Sequence, residues 1–275
     1  MLYSEEGVQR LLQAFHMVPK RGLSQNFLFD ETAIDMAVRA ACVSDLQVFE
    51  IGPGLGALTY KLAEHAAKVL AVDLDPRCVG ATRAMTAGFA NVEILQGDAL
   101  TVDPLEHGLV EGYSVVANLP YHLTGLFLRS ISERRLNPLS AVLLVQKEVA
   151  LRLVGESQGW SLMTVATHLA CDAQLVGIVP ASHFYPAPTV SSAFIRLEPH
   201  ARYETRDAED ILVLARSAFQ GRRKTIANAL AGNLGSKERA VSVLGAAGVP
   251  AGIRAEELRI PDWLALARCV RDHSS

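Results

Sequence analysis

The sequence contains few cysteines, and no two of them stand close together. The four cysteines among the 275 residues are at positions 42, 78, 171 and 269, with no C-x-x-C pair. Neither a zinc site nor a disulfide framework is expected, and reduced thiols in a cytosolic protein are the plain interpretation. Residues 1–10 include two glutamates and no apolar core of a signal peptide. The longest weakly apolar stretch, Val241 to Ile253, is too short and too interrupted to span a bilayer. We therefore expect a cytoplasmic protein with no membrane partner and no metal.

Positive charge is scarce overall but concentrated in one stretch. The formal net charge is −3 at pH 7, which by itself argues against nucleic acid as a partner. Within residues 216–239, however, a single anion, Glu238, accompanies six cations. They are Arg216, Arg222, Arg223, Lys224, Lys237 and Arg239. Because phosphate binding requires a local excess of this kind, the net charge is only a weak objection to a nucleic-acid partner.

Short β-branched runs alternate with segments whose apolar residues recur with helical spacing. The candidate strands are Gln47–Ile51, Val69–Asp73, Val92–Leu95, Ser114–Ala117 and Ala141–Val145. Two further runs, Gln174–Val179 and Ser192–Leu197, are close in sequence and are expected to pair as a hairpin on the sheet edge. Strand–helix alternation is typical of parallel sheets, so the pattern predicts an α/β fold with a Rossmann-like, doubly wound, mostly parallel sheet of seven strands.

The pattern changes after Pro199, where no further strand is predicted. Helices are expected on the apolar face from Ile211 to Phe219 and over Arg223–Ala231, Lys237–Ala246 and Asp262–Arg271. The polar segment Pro199–Ala208 suits a linker. We therefore predict two domains, a catalytic domain over residues 1–200 and a small helical domain over residues 201–275.

A glycine-rich loop follows the first predicted strand. Gly52 and Gly54 allow the backbone to turn tightly and to approach a ligand that a β-carbon would exclude. Asp73 ends the next strand, where a carboxylate can accept hydrogen bonds from ribose hydroxyls. Because the loop also fits a dinucleotide fingerprint, an NAD-dependent enzyme stays open as an alternative, as does a purely structural turn.

Two acidic residues favour S-adenosylmethionine over NAD. Glu50 immediately precedes the loop, where a carboxylate suits the cationic amino group of a methionine moiety and would repel a pyrophosphate. Asp98 follows the third strand, where it can accept from an adenine amino group. An ordinary N-cap or turn aspartate is an equally good interpretation of Asp98 alone.

The sequence Asn118-Leu119-Pro120-Tyr121 follows the fourth strand and is the predicted reaction centre. The Asn118 side-chain oxygen and the Leu119 carbonyl can accept the two hydrogens of an adenine N6 and direct its lone pair at a sulfonium methyl group. Pro120 restricts the preceding backbone, and Tyr121 offers a flat face for stacking. An ordinary Asn-x-Pro turn is the alternative for these four residues alone.

At this point the sequence resembles the KsgA-type ribosomal RNA adenine dimethyltransferases over roughly residues 20 to 260. The matching blocks are Gln25-Asn26-Phe27-Leu28, Glu50-Ile51-Gly52-Pro53-Gly54, Asn118-Leu119-Pro120-Tyr121, Gln146-Lys147-Glu148-Val149, Phe184 with Pro186 and Pro188, and Arg222-Arg223-Lys224-Thr225. The resemblance implies N6,N6-dimethylation of two adjacent adenosines in the 3′-terminal hairpin of small-subunit (16S) ribosomal RNA, within an assembling 30S particle. We expect the enzyme to act as a monomer.

The resemblance also implies residues of the site. The contacts of S-adenosylmethionine that it implies are Asn26, Leu28, Gly52, Asp73, Asp98 and Asn118. We further expect cofactor contacts from Gln25, Glu50, Gly54, Leu74 and Ala99. Phe184 is expected to stack on the base opposite Tyr121. The helical domain, with Arg222, Arg223 and Lys224, is expected to hold ribosomal RNA. The target base must be unpaired or flipped out to be reached.

Some positions depart from the family pattern. Ser24 stands where glycine is usual, Asp73 replaces a common glutamate, His122 replaces a frequent asparagine and Gly125 a usual proline. Ser24 is also found in relatives that modify large-subunit RNA. A 23S ribosomal RNA adenine methyltransferase of the antibiotic-resistance type therefore remains an alternative, as does a non-catalytic RNA-binding assembly factor. Residues 1–17 are expected to form an amphipathic helix that packs on the core rather than covering the active site.

Overall fold

The structure is a computed structural model, and it describes residues 3–20, 25–41, 45–119, 123–132, 135–157, 159–221 and 223–272. The chain forms two compact units. The first contains Met1–Ala150 and Ala173–Pro199, and the second contains Leu151–Asp172 and His200–Ser275. No helix among the described residues is long and apolar enough to cross a membrane.

The first unit is built on a seven-stranded sheet. The strands of the chain are β1 (Phe27–Leu28), β2 (Gln47–Ile51), β3 (Lys68–Asp73), β4 (Val92–Gln96), β5 (Ser114–Asn118), β6 (Ser140–Gln146), β7 (Cys171–Val179), β8 (Phe184–Tyr185) and β9 (Ser192–Pro199). The sheet has the order β4-β3-β2-β5-β6-β9-β7. Neighbours from β4 to β6 pair in parallel, and β9 runs antiparallel to β6. The predicted fold is confirmed, and the two late strands are neighbours at the edge as expected.

Apolar side chains on both faces of the sheet explain why these segments form central strands. Val48, Val69, Val116 and Val142 are buried in one continuous core, because helices cover a parallel sheet on each side. The chain order reverses direction between β2 and β5, and such a switch point opens a crevice at the carboxyl ends of the strands. The site described below lies at that point.

Helices flank the sheet, and short caps fix where they begin. The helices of the first unit are α1 (Glu5–Ala14), α2 (Glu31–Ala41), α3 (Ala57–His65), α4 (Pro76–Met85), α5 (Thr124–Ser132) and, reaching into the second unit, α6 (Lys147–Leu153). The Ser4 hydroxyl accepts from Gly7 N at 3.1 Å and caps α1. Asp75 caps α4, which has Pro76 in its first turn.

The second unit is helical. It contains α7 (Leu162–Ala170), α8 (Thr205–Phe219), α9 (Ile226–Leu234), α10 (Lys237–Ala246) and α11 (Ile260–Asp272). Its core surrounds the fully buried Trp263 and includes Val165 and Leu169 of α7. The sequence placed one boundary near residue 200, whereas the structure also gives Leu151–Asp172 to this unit, because the apolar face of α7 packs into its core.

One buried carboxylate joins the first and last long helices of the second unit. Asp207 lies in the first turn of α8 and accepts from Arg268 Nη2 at 2.7 Å and from Arg271 Nη2 at 2.5 Å. These hydrogen bonds from the two guanidinium groups hold the pKa of Asp207 below its usual range. The start of α8 is thereby tied to the end of α11.

Candidate cofactor and substrate site

The glycine loop turns between β2 and α3 through left-handed backbone. Gly52, Gly54 and Gly56 have φ values of +73°, +61° and +85°. A β-carbon at Gly54 would lie 3.2 Å from the Phe27 ring, and one at Gly52 would lie 3.5 Å from the Asn118 carbonyl oxygen. The left-handed torsion favours glycine at all three positions, and at Gly54 the nearby Phe27 ring adds to this preference, as the sequence predicted.

The Asp73 carboxylate ties this loop to the end of β3. Its Oδ2 accepts from Gly54 N at 3.2 Å and its Oδ1 accepts from Asp75 N at 2.9 Å. Burial raises the pKa of Asp73, and these backbone donors oppose that rise. Leu74 follows with 57 % of its surface exposed, so an apolar side chain borders the carboxylate.

Asp98 and Ala99 lie in the turn after β4. Asp98 Oδ1 accepts from Leu100 N at 2.9 Å, so one oxygen has the turn role that the sequence left open. Asp98 is exposed and Ala99 is buried. Gly97 N donates to the Asp73 carbonyl at 3.0 Å, which brings the ends of β3 and β4 together.

Glu50 is the most unusual polar group of the first unit. It is only 1 % exposed, and neither carboxylate oxygen has a hydrogen-bond partner among the described residues. Burial raises the pKa of Glu50 to about 8, the nearby Thr59 hydroxyl opposes that rise without forming a well-aligned hydrogen bond, and the negative charge of Asp73 adds to it. A buried acid without a donor is costly. The group therefore fits a ligand that brings its own positive charge.

A pocket is lined by some of the expected cofactor residues, namely Leu28, Glu50, Gly52, Gly54 and Asn118, and by Val8 and Leu11 of α1. The carboxylates at the ends of β3 and β4 are not among its lining residues. Val8 is also packed in an apolar cluster with Leu12 and Phe27. The N-terminal helix therefore packs on the core as expected, but it also lines the pocket, which the sequence did not predict. The helix has this double role because Leu11 is only half-buried by the cluster.

The reaction centre begins where β5 ends. Asn118 Nδ2 donates to the Asn26 carbonyl at 3.5 Å, and Leu119 is buried. Pro120, Tyr121 and His122 lie outside the described residues. The contact with Asn26 turns the Asn118 amide so that its Oδ1 is directed away from that carbonyl.

Phe184 belongs to β8, which pairs with β1 rather than with the main sheet. The register places Phe184 opposite Leu28 and Tyr185 opposite Phe27. Phe184 is 4 % exposed and packs in the core with Phe194. Stacking on a base, which the sequence analysis expects of Phe184, therefore requires that the ring be uncovered.

The predicted RNA-binding residues lie in the second unit, between α8 and α9. Arg223 and Lys224 are exposed, and Lys224 N donates to the Gly221 carbonyl at 2.8 Å. Arg222 lies outside the described residues.

Sequence reasoning missed a connected group of side chains that shapes this site. Gln25 Nε2 donates to Asp75 Oδ2 at 3.3 Å, and Arg77 Nη2 donates to the same oxygen at 2.5 Å. The Asp-Pro sequence before α4 signals a helix cap. It gives no signal of a contact with Gln25, which stands 50 residues earlier.

The fold and the site together define a class of protein. A sheet of this order, a glycine loop after its first parallel strand, carboxylates at the ends of the next two and a buried unpaired glutamate fit the amino, ribose and adenine groups of S-adenosylmethionine. The chain is a class I S-adenosylmethionine-dependent methyltransferase. The family model described as "Ribosomal RNA adenine dimethylase" matches residues 18–272. The chain belongs to the ribosomal RNA adenine dimethylase family, which confirms the predictions of an enzyme, its cofactor and its family.

Similar proteins extend over nearly the whole chain. "Ribosomal RNA small subunit methyltransferase A" of Dehalococcoides mccartyi (strain CBDB1) is 36 % identical over 260 residues, which cover 93 % of this chain and 89 % of that protein. The protein of the same name from Desulfitobacterium hafniense (strain DCB-2) is 39 % identical over 257 residues, covering 91 % of each chain.

Two solved structures have the same fold. The crystal structure of the 23S rRNA methyltransferase ErmE has a TM-score of 0.74 and 30 % identity, and the match covers 90 % of this chain and 100 % of that one. A dimethyladenosine transferase from Plasmodium falciparum has a TM-score of 0.71 and 26 % identity, with 87 % and 95 % covered.

Proposed function

We propose that this enzyme transfers methyl groups from S-adenosylmethionine to N6 of two adjacent adenosines in the 3′-terminal hairpin of small-subunit ribosomal RNA. The observation that carries the proposal is that Asn118 lines the same pocket as Glu50 and the glycine loop. This supports a site in which the residue expected to hold the adenine N6 lies beside the residues expected to hold the methyl donor. The names of the relatives at 36–39 % identity favour the small subunit.

The chain's own residues bind the cofactor. Glu50 pairs with the methionine ammonium group, Asp73 accepts from the ribose hydroxyls, and Asp98 accepts from the adenine amino group. Leu74, Ala99, Leu28 and the loop glycines supply the apolar and close backbone contacts. Asn26 completes the set through its contact with Asn118.

S-adenosylmethionine held by these residues would supply an electrophilic sulfonium methyl group, and its sulfur would become the thioether of S-adenosylhomocysteine. Asn118 Oδ1 and the Leu119 carbonyl would accept the two N6 hydrogens and so direct the nitrogen lone pair at the methyl carbon. The methylated, cationic N6 would then release a proton to solvent. No general base is needed before transfer, and positioning with fixed dipoles supplies the rate enhancement.

Asn118→Ala tests this assignment. We expect methyl transfer to fall by about 100-fold or more, the usual effect of removing a positioned dipole, while the protein stays folded and binds cofactor weakly. The measurement is transfer of radioactive methyl groups to assembling small subunits. Asn137→Ala, which changes an exposed asparagine of the same unit, is the matched control. Near-normal activity of the Asn118 variant would contradict the mechanism.

The basic segment of the second unit is proposed to hold the RNA within an assembling 30S particle, in the cytoplasm and as a monomer. Replacing Arg223 or Lys224 by alanine should weaken RNA binding and lower the slope of log affinity against log salt by about 1 each, because one phosphate contact is lost. Arg10→Ala, which removes an exposed cation of α1, should leave the slope unchanged.

A second candidate substrate is large-subunit RNA, which the 30 % identity with ErmE favours. The two candidates differ in the RNA form that is modified. Small-subunit particles and naked large-subunit RNA, each offered with labelled cofactor, separate them. Modification of the large-subunit RNA alone would exclude the small-subunit assignment. Particle binding with no transfer of label would instead indicate a non-catalytic assembly factor.

A further inference from the structure

The four residues Gln25–Leu28, here called the strap, lie across the glycine loop. At one end the strap is held by the β1–β8 pairing, and Phe29 N adds a hydrogen bond to the His183 carbonyl at 3.1 Å. At its centre the Phe27 ring packs against Gly54. Two expected cofactor contacts, Asn26 and Leu28, are therefore placed by whatever fixes the strap.

The other end of the strap is held by the Gln25 side chain. Its Oε1 accepts from Lys20 N at 2.9 Å, and its Nε2 donates to Asp75 Oδ2 at 3.3 Å and lies 3.8 Å from Cys78 Sγ. Both ends of the amide are thus engaged by the protein. A side chain held in this way positions backbone and has its polar atoms directed at the protein.

Asp75 is a rigid anchor for this contact. Its side chain is 3 % exposed, and it accepts from Arg77 Nε at 2.9 Å and from Arg77 N at 3.1 Å. The Arg77 guanidinium holds the pKa of Asp75 well below its usual range. The carboxylate is therefore charged and fixed in direction.

The anchor is also connected to the cofactor carboxylate. Asp75 N donates to Asp73 Oδ1, Asp73 Oδ2 accepts from Gly54 N, and Phe27 of the strap packs on Gly54. Together with the Gln25–Asp75 contact, these interactions close a ring around the edge of the pocket. Removing the Gln25–Asp75 hydrogen bond frees the first residue of the strap from Asp75, while the contacts between Asp75, Asp73 and Gly54 remain.

We propose that Gln25 and Asp75 form a clasp that positions the strap over the glycine loop and so sets the affinity for S-adenosylmethionine without touching it. The proposal rests on the proposed cofactor site, since the strap matters only if Asn26 and Leu28 face the cofactor. Gln25, which the sequence predicted as a cofactor contact, becomes a positioning residue in this scheme, as does Asp75, because both ends of the Gln25 amide are engaged by the protein.

The test compares Gln25→Glu, Asp75→Asn and the double variant. A new carboxylate at position 25, opposite the fixed carboxylate, breaks the clasp, whereas an amide at position 75 retains the helix cap and donates to the carboxylate at position 25. We expect cofactor Kd and KM to rise about 10-fold in Gln25→Glu, with kcat within about twofold, and to return to within about threefold of the wild type in the double variant. Asp75→Asn alone should also weaken cofactor binding, because its single amide oxygen keeps the helix cap and its Nδ2 then faces Gln25 Nε2, which places two donors together.

Three readouts make the outcome decisive. The unfolding midpoint of ligand-free Gln25→Glu and Gln25→Met should stay close to that of the wild type, and amide exchange at residues 25–28 should speed up in both. Asp75→Asn is left out of this comparison, because it also removes the ion pair with Arg77. Gln25→Met, which removes the hydrogen bonds without adding charge, should weaken binding and should not be rescued at position 75. Unchanged affinity in Gln25→Glu and Gln25→Met overturns the clasp.

A loss of affinity that Asp75→Asn does not restore also overturns the clasp, because it means that Gln25 touches the cofactor itself. Asp73→Ala separates failure of the clasp from failure of the cofactor site. If Asp73→Ala keeps full affinity, the cofactor site is misplaced. If it loses affinity while the Gln25 variants do not, the clasp alone is wrong.

Discussion

The buried Glu50 carboxyl predicts a pH dependence that Glu50→Gln should remove. Its pKa is raised by burial from the ordinary 4.5 to about 8 in the folded protein. Between these values the folded state holds a proton that the unfolded state has lost. The free energy of unfolding of the ligand-free protein should therefore fall as the pH rises from about 4.5 and level off above about 8.

The size of this effect follows from the separation of the two pKa values. At about 1.4 kcal/mol per pKa unit, the carboxyl lowers the free energy of unfolding by roughly 5 kcal/mol at high pH. Glu50→Gln keeps the shape and removes the titration, so the variant should equal the wild type near pH 4 and exceed it above pH 8. Urea unfolding across this pH range measures the difference. Glu111→Gln, at an exposed position, is the control and should follow the wild type.

Cofactor binding should reverse the preference of the carboxyl. The ammonium group of the methionine moiety stabilises the charged form, so binding at pH 7 should release close to one proton. Calorimetry in two buffers of different ionisation enthalpy counts that proton. Glu50→Gln should release none and bind more weakly. This account of Glu50 would be refuted if the free energy of unfolding varied with pH in the same way in the wild type and in Glu50→Gln. It would also be refuted if both proteins released the same number of protons on binding the cofactor.

Two further substitutions test the loop and the helical unit. Gly54→Ala should weaken cofactor binding and lower the free energy of unfolding by about 1–2 kcal/mol. The reason is that the left-handed torsion and the nearby Phe27 ring both disfavour a β-carbon at this position. Gly88→Ala is the control, because an added β-carbon there meets no atom within 4 Å. It should change neither the cofactor affinity measured by titration calorimetry nor the midpoint of thermal unfolding. Asp207→Asn should lower the free energy of unfolding by about 1–3 kcal/mol at neutral pH, because it weakens the hydrogen bonds from two arginines. This difference in stability should shrink as the pH falls below 3.8, where the wild-type carboxylate becomes protonated. Asp210→Asn, which weakens one half-exposed ion pair with Arg271, should lower the free energy of urea unfolding by less than about 1 kcal/mol. An equal loss of stability in both variants would contradict the role of Asp207 as a buried anchor.

The central sheet was predictable because its strands carry a local signal. The run Gln47–Ile51 was predicted with the bounds it has, and the predicted Ala141–Val145 lies within β6, since buried parallel strands are continuous β-branched runs. The two-residue strands β1 and β8 have no such signal, because two residues show no periodicity. Their pairing is set by packing of Phe27 and Phe184, which no local pattern reveals.

The site was predictable to the same extent. Asp73 and Asn118 could be placed together from sequence because the carboxyl ends of parallel strands meet at one edge. The orphaned state of Glu50 and the contact between Gln25 and Asp75 depend on side chains that meet only after folding. The membership of α7 in the helical unit has the same origin, because the partners of Val165 lie far along the chain.

The two-stranded ladder between Leu28 and Phe184 has a thermodynamic consequence. It joins Leu28, a residue expected at the cofactor, to Phe184, a residue expected at the base, through backbone hydrogen bonds. If a base that displaces Phe184 also displaces Leu28, RNA and cofactor would each change the affinity of the other by the same factor, because coupling between two sites is reciprocal.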